Sequence, residues 1–238
     1  MANEFQIMIE RAKDVMLNPA ILYKYDDIVL GVSVCTNNGN SINMWAVSQN
    51  TWRGFRNIES PSEIYKLCFL ENKDMILNSL EKVDSYGDLN ILENKLYDMV
   101  LPKLLKANKN PASSILDSYN KVRKPIDLYI EHLVLMSKEL DTRRRKLISY
   151  LMLPLDSWIF ETSFIFTEDE LSSVGLNRGS KYGDLKDRSD YNKLQALLKE
   201  KAEFITEQIK LPFYRIYFDM FWNNRYKRNG RNLFETNK

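Results

Sequence analysis

Lys124 and Asp156 are the two residues in this sequence whose types and spacing could support covalent chemistry. They lie 32 residues apart, at opposite ends of a segment that closes in Leu-Pro-Leu-Asp, and they would converge if that segment folded back on itself. A neutral lysine amine can attack the sugar carbon of a nucleotide, displace the base and hold the sugar as a Schiff base. A nearby carboxylate can stabilise the cationic sugar and transfer protons. The pair therefore predicts chemistry at a sugar carbon.

Each member of the pair also has an ordinary structural interpretation. Lys124, before Pro125, could be an exposed residue at the start of a helix. Asp156, after Pro154, could cap the N-terminus of the next helix. The single histidine, His132, lies in an apolar helical pattern and excludes a site with several histidine ligands. Chemistry by the lysine and the aspartate would need no metal and no cofactor.

Two clusters of basic residues could bind a polyanion. The net charge of the chain is only +2, so the distribution of charge is more informative than its sum. Local cationic patches on a near-neutral protein favour contacts with backbone phosphates, although solvated helix ends would show the same pattern. The clusters consist of Arg143, Arg144, Arg145 and Lys146, and of Arg225, Lys227 and Arg228 near the C-terminus.

Trp45, Gln49 and Trp52 could form a pocket for a nucleobase. Indole rings stack on bases, and an amide can read the edge of a base. The alternative is that both tryptophans belong to the hydrophobic core.

Length and composition indicate one large globular domain or two small ones. The chain has 238 residues, of which 44% are hydrophobic and 28% are charged, and a chain of this size can bury a substantial core. Two cysteines, Cys35 and Cys68, cannot build a disulfide framework and indicate reduced thiols in a cytoplasmic protein. The N-terminus does not resemble a signal peptide, and no apolar run approaches the length of a membrane span. We expect a soluble monomer.

Hydrophobic periodicity predicts a mainly α protein of about eight to ten helices with one small β-hairpin near the N-terminus. The hairpin would join Ile28–Val34 to Ile42–Val47 through a turn at Asn37–Asn40. We expect an N-terminal helical subdomain with the hairpin (1–110) and a helical catalytic subdomain (111–238), packed as one compact protein. In the N-terminal part, the predicted helices are 3–17, a segment from Ser60 with a break near Asn72, and 89–106. After these we expect helices at 113–120 and 124–139 and from Thr142 to Pro154. A short helix would start at Thr167, a long one at Ser189, and the last would cover 213–224.

The segment LPLDSWIF, which contains Asp156, resembles the helix–hairpin–helix DNA glycosylases, in which Pro-x-Asp precedes a helix and the aspartate is catalytic. Within that superfamily the chain is most similar to the archaeal-type 8-oxoguanine DNA glycosylase/AP lyases. Their catalytic helix begins with a lysine, and the aspartate follows at a similar distance. The resemblance implies that Lys124 is the Schiff-base nucleophile and that Asp156 is its acidic partner. The segment FDMFWNNR is similar to the closing helix of that family and implies that Asp219 and Trp222 hold the flipped base.

The resemblance implies a helical glycosylase-like bundle that removes an oxidised purine from double-stranded DNA in base excision repair. Three alternatives stay open. Other members of the superfamily place the lysine nearer the aspartate, which makes Lys138, 18 residues before Asp156, a rival nucleophile. The chain could instead be a non-catalytic helical nucleic-acid-binding or interaction protein, for example from a phage or a defence system. It could also be a metal-dependent nuclease that uses Asp84 or Asp88 with Glu93, Asn94 and Lys95.

Overall fold

The computed structural model describes residues 2–19, 21–35 and 41–221, and it is mainly helical with a small antiparallel sheet, as the sequence predicts. The α-helices within these ranges are α1 (Ala2–Ala12), α2 (Tyr25–Leu30), α3 (Gln49–Trp52), α4 (Pro61–Glu71), α5 (Lys73–Lys82), α6 (Tyr86–Ala107), α7 (Tyr119–Met136), α8 (Arg144–Leu147), α9 (Ser157–Glu161), α10 (Glu168–Ser172) and α11 (Arg188–Ile209). The strands are β1 (Val32–Cys35) and β2 (Ser41–Met44). A π-helical turn covers Lys13–Leu17, and 3-10 segments cover Ser114–Leu116, Ile148–Tyr150 and Arg215–Phe221.

Helix α7 lies at the centre of the fold and is buried on every side. Every residue from Tyr119 to Met136 is buried, with the single exception of Lys121. A helix in this position must satisfy its polar groups within the protein. Helices α2, α6 and α11 pack against it. The ring of Phe69 on α4 lies 4.7 Å from that of Tyr129, and the Tyr65 hydroxyl donates a hydrogen bond to the Val122 carbonyl over 2.8 Å.

Helix α7 begins at Tyr119, so the prediction that Lys124 opens it is wrong. Ser118 is the N-cap, because its hydroxyl accepts a hydrogen bond from the Lys121 amide over 3.2 Å. Proline is usual in the first turn of a helix, and Pro125 suggested a start that is one and a half turns too late. A proline inside a helix costs about 3 kcal/mol, and burial of the whole helix offsets that cost. The predicted short helix at 113–120 is instead a 3-10 turn followed by the start of α7.

The small sheet is the predicted hairpin with two shorter strands, since the second was predicted to reach Val47 and ends at Met44. Strands β1 and β2 are antiparallel, with Val32 opposite Met44. The residues Ile28–Leu30, predicted as strand, form the last turn of α2. Gly31 ends that helix with φ of 95°, a conformation that favours glycine. The predicted turn at Asn37–Asn40 lies outside the described residues.

Most other helix boundaries follow local signals. The break at Asn72 is confirmed, since α4 ends at Glu71 and α5 begins at Lys73. The N-cap position of α11 is Asp187, two residues before the predicted cap at Ser189, and the Asp187 side chain forms no capping hydrogen bond. The final predicted helix is a 3-10 segment from Arg215. The core is one continuous cluster of apolar side chains drawn from both halves of the chain. In the part of the chain that the structure describes, no helix is long and apolar enough to cross a membrane.

Candidate functional site

Lys124 and Asp156 meet, because the segment between them folds back on itself. The Lys124 amine donates a hydrogen bond to Asp156 Oδ2 over 3.0 Å, and the two residues are only 7% and 6% exposed. Helix α7 holds the lysine in its second turn. The extended segment Leu151–Asp156 passes beside that turn and delivers the carboxylate. The chain therefore buries an amine and a carboxylate in direct contact.

Asp156 is also the N-cap of α9, as the structural interpretation predicted. Its second oxygen, Oδ1, accepts hydrogen bonds from the Trp158 amide over 3.1 Å and from the Ile159 amide over 3.2 Å. The first amides of a helix have no partner within the helix, and they stabilise a negative charge. One oxygen is thus held by the helix while the other faces the amine, so the orientation of the carboxylate is fixed.

A loop covers the pair, and we call residues 177–187 the strap. The Tyr182 ring lies with its centroid 5.2 Å from Lys124 Nζ, within the range of a cation–π contact. The Tyr182 hydroxyl donates a hydrogen bond to the Thr51 carbonyl over 3.2 Å. A Cβ atom on Gly54 would lie 1.5 Å from that hydroxyl, so only glycine leaves room for the ring. The strap is therefore held against α3 at Thr51 and against the following turn at Gly54.

Asn120 ties the strap to the segment that carries Asp156. Its side-chain amide donates one hydrogen bond to the Leu155 carbonyl over 3.1 Å and another to the Tyr182 carbonyl over 2.9 Å. Asn120 precedes Lys124 by four residues, so both side chains lie on the same face of α7. One face of the buried helix thus positions the Lys124 amine, the Asp156 carboxylate and the Tyr182 ring. This arrangement suits proton transfer between the amine and the carboxylate beneath the ring.

The rival lysine lies elsewhere. Lys138 is exposed and follows the C-terminus of α7, and its backbone amide donates to the Tyr23 carbonyl over 2.8 Å. Because a helix rises about 1.5 Å per residue, roughly 18 Å of α7 separates Lys124 from Met136. The amine in contact with Asp156 is that of Lys124.

The predicted base-pocket residues that the structure describes differ in their surroundings. Trp52 packs in an aromatic cluster, 5.8 Å from Phe55 and 5.3 Å from Tyr65 between ring centroids. Trp45 is half-buried beside Gly31, and Gln49 is exposed at the start of α3. Helix α3 approaches the pair through the contact between Thr51 and Tyr182. Asp219 is buried in the last 3-10 segment, and Trp222 lies outside the described residues.

The basic run is largely engaged with carboxylates of the same chain. Arg143 and Lys146 both form salt bridges with Asp84, over 3.2 Å and 2.5 Å. Arg144 is buried and pairs with Asp141 over 2.7 Å. Arg145 is exposed and forms no salt bridge with a described residue. The three C-terminal cations, Arg225, Lys227 and Arg228, lie outside the described residues.

Sequence reasoning missed a buried ionic cluster around Arg123. The fully buried guanidinium binds Glu93 on α6 and Asp127 on α7, and the Tyr191 hydroxyl donates to Asp127 over 2.8 Å. Burial raises the pKa of Glu93 to about 8 and also raises the pKa of Asp127, although Arg123 opposes both shifts. The spacing of Arg123 and Asp127, four residues apart in a helix, was the available signal.

The Arg123 cluster bears on the nuclease alternative. That alternative needs the Glu93 carboxylate to bind a metal, and the carboxylate is bound to Arg123 instead. Asp84 pairs with Arg143 and Lys146. Within the described ranges, no group of three acidic, histidine or cysteine side chains is placed to hold a metal ion.

No family model, no curated protein and no solved structure matches this chain, so the function is argued from the Lys124–Asp156 pair and the strap over it.

Proposed function

We propose that this protein is a DNA glycosylase with AP-lyase activity that removes an oxidised purine, with Lys124 as nucleophile and Asp156 as its proton acceptor. The observation that carries the proposal is the 3.0 Å contact between the two buried side chains. Such a reaction needs an amine that can lose its proton next to a fixed carboxylate. The orientation of Asp156 by the first amides of α9 meets that need.

The chemistry would use these two groups in sequence. The Lys124 amine passes a proton to Asp156, and its nitrogen forms a bond with C1′ of the sugar. The bond between C1′ and the base breaks, and the base leaves with the electron pair and takes up a proton. The bond between C1′ and O4′ then opens, with a proton delivered to O4′, and this gives the Schiff base. Loss of a proton from C2′ expels the 3′ phosphate and cuts the strand.

The proposal also requires extrusion of the base from the duplex into a pocket with aromatic walls. The Tyr182 ring supplies one such wall beside the amine. From the sequence resemblance we propose that Asp219 and Trp222 hold the base. We also propose that Arg145, which is exposed, and the basic residues of the C-terminal cluster contact phosphates.

Borohydride trapping tests the proposal. The protein is incubated with a duplex that carries 8-oxoguanine, and borohydride reduces any Schiff base to a stable adduct. We expect the parent protein and Lys138→Ala to form the adduct, and Lys124→Ala to form none. Because Lys138 is exposed and outside the pair, its variant is a matched control for loss of one lysine. Absence of an adduct with the parent protein on every lesion duplex would refute the lyase mechanism.

The burial of the pair favours a second candidate. An amine and a carboxylate that are 8% and 9% exposed in their side chains could be a purely structural salt bridge in a non-catalytic nucleic-acid-binding protein. That protein would bind DNA in a salt-sensitive manner and form no adduct. Cleavage of undamaged DNA that requires a divalent metal ion would instead support the nuclease.

A further inference from the structure

Lys121 is the exception in the buried helix α7. It is half-buried, whereas every other residue of the helix is buried. It precedes Lys124 by three residues, and side chains at this spacing lie on one face with their Cβ atoms about 5–6 Å apart. Two lysines of α7 therefore point from neighbouring positions toward the same side of the helix, where the strap passes.

The strap contacts both amines through consecutive residues. Tyr182 covers the Lys124 amine, and Gly183 lies against Lys121. A Cβ atom on Gly183 would lie 2.9 Å from Cε of Lys121 and 3.4 Å from its Nζ, so the absence of a side chain at Gly183 lets the lysine approach the backbone. The two amines thus occupy adjoining places under one short stretch of chain.

The two amines differ in their partners. Lys124 contacts the Asp156 carboxylate directly, whereas Lys121 forms no salt bridge with a described residue. Burial lowers the pKa of Lys121, and the more distant Asp184 carboxylate only partly opposes this shift. Desolvation destabilises an ammonium that has no counter-ion, and an arriving anion relieves that cost. Lys121 is therefore a cation that an anionic ligand would stabilise.

We propose that Lys121 binds a phosphate of the same nucleotide whose sugar carbon is attacked by Lys124, which makes it a positioning residue for the reaction. The inference rests on the proposed function. Both phosphates of a nucleotide are bonded to its sugar, so they lie only a few bonds from C1′. An amine one helical turn from the nucleophile is within reach of one of them. Contact with that phosphate would hold C1′ in front of the Lys124 amine.

Two small sugars separate phosphate recognition from duplex binding. 2-Deoxyribose and 2-deoxyribose 5-phosphate both present an aldehyde carbon, C1, in their open forms. The Lys124 amine adds to C1 and water leaves, which gives an imine. Borohydride then transfers hydride to that carbon and leaves a secondary amine. Intact mass measures the adduct, and peptide mapping locates it. The full-length chain is used, as the parent protein and as Lys121→Ala, Lys121→Arg and Lys186→Ala.

We expect the parent protein to be trapped about tenfold more efficiently by the phosphorylated sugar, the size typical of a charge-assisted hydrogen bond. Lys121→Ala should lose this preference and still react with unphosphorylated deoxyribose as the parent does. Lys121→Arg should retain the preference, because arginine also binds phosphate. Lys186→Ala removes an exposed lysine of the strap and should behave as the parent.

The outcomes distinguish this inference from the proposed function. If the parent forms adducts without a preference for the phosphorylated sugar, or if Lys121→Ala keeps that preference, the role of Lys121 is refuted and the Lys124 chemistry stands. If the parent forms no adduct with either sugar or with a lesion duplex, both proposals fail. A misfolded Lys121→Ala would lose the reaction with both sugars alike, and Lys121→Arg would then decide the matter through its retained or lost preference.

Discussion

At the scale of single residues, Asp156 has two roles, because each of its carboxylate oxygens accepts hydrogen bonds from a different group. Oδ2 accepts from the Lys124 amine, while Oδ1 accepts from the first amides of α9. Asparagine caps helices about as well as aspartate but carries no charge. The two possible roles of the residue, as a cap and as a charged partner, can therefore be removed one at a time.

Asp156→Asn should abolish the borohydride adduct and lower the free energy of unfolding by about 3 kcal/mol, because it leaves the buried Lys124 charge without its partner. Asp156→Ala should lower that free energy by about 1 kcal/mol more, since the cap of α9 is lost as well. Urea denaturation measures both effects. Adding Lys124→Met to Asp156→Asn should recover part of the lost stability, because no unpaired charge stays buried. Equal stability of Asp156→Asn and Asp156→Ala would contradict the capping role of Asp156.

Glu93 should make the stability of the protein depend on pH. Burial raises the pKa of Glu93 to about 8 in the folded state, above the value of about 4.3 usual for an unfolded chain. Between these values the folded state keeps a proton that the unfolded state has released, so stability falls as pH rises. Urea denaturation at pH 5, 6.5 and 8 should show a smaller fall for Glu93→Gln than for the parent. Asp127 is present in both proteins, so its contribution to the pH dependence is common to them. Parallel pH profiles of the two proteins would contradict the raised pKa of Glu93.

At the scale of elements, the strap is held by contacts at both of its sides. Asn120 on α7 donates to the Tyr182 carbonyl, and the Tyr182 hydroxyl donates to the Thr51 carbonyl in α3. The hydroxyl of Ser118, the N-cap of α7, also donates a hydrogen bond to the strap, at the Leu185 carbonyl, over 3.0 Å. The start of α7 therefore orders the strap, and the strap in turn determines how far the Lys124 amine is covered.

Gly54→Ala should release the strap, because the new methyl group would occupy the place of the Tyr182 hydroxyl. We expect faster amide hydrogen exchange in 177–187 and faster chemical modification of Lys124, both measured by mass spectrometry. Gly87→Ala is the matched control, since a Cβ atom there meets nothing closer than Ser85 Oγ at 3.6 Å. That variant, within α6, should be as stable as the parent or up to about 1 kcal/mol more stable. Unchanged exchange in Gly54→Ala would show that Tyr182 does not latch the strap.

At the scale of the whole molecule, the basic residues predicted to bind phosphate are not equally available to a polyanion. The formal net charge is +2, and the basic run before Asp156 is mostly paired with Asp84 and Asp141. Of the residues predicted from the sequence to contact phosphates, Arg145 is exposed, and Arg225, Lys227 and Arg228 lie outside the described residues. These four stay as proposed contacts. Binding of DNA through these residues would depend on salt through release of counterions.

Replacing Arg225, Lys227 and Arg228 together by alanine should reduce the slope of log K against log salt by about 3 for a lesion duplex, since each phosphate contact contributes about 0.9. Arg145→Ala should reduce it by about 1. Fluorescence anisotropy at several salt concentrations measures both slopes. The thermal unfolding of Arg145→Ala should match that of the parent, because Arg145 is exposed. A slope unchanged in the triple variant would remove the C-terminal cations from the proposed interface.

The sequence by itself determined the features that depend on neighbouring residues. Hydrophobic periodicity indicated a mainly helical chain, the break at Asn72 was visible, and the Pro-x-Asp motif predicted Asp156 as the N-cap of α9. The β-hairpin was predicted too, although Gly31 ends a helix where a strand was expected. The helix break and the cap are local because their hydrogen bonds join residues at most four positions apart, and the paired residues of the hairpin are at most twelve positions apart.

Only the tertiary structure decided which side chains are buried together. Pro125 suggested a helix start at Lys124, and burial of α7 on every side overrode that signal. Arg143 and Lys146 pair with Asp84, and the buried Arg123 pairs with Glu93. The residues of these pairs are far apart in the chain. Their energies depend on desolvation and on partners brought in by packing, which no local pattern encodes. The same holds for the strap, since the contact between Tyr182 and Lys124 exists only once α7, the α3 turn and 177–187 have assembled.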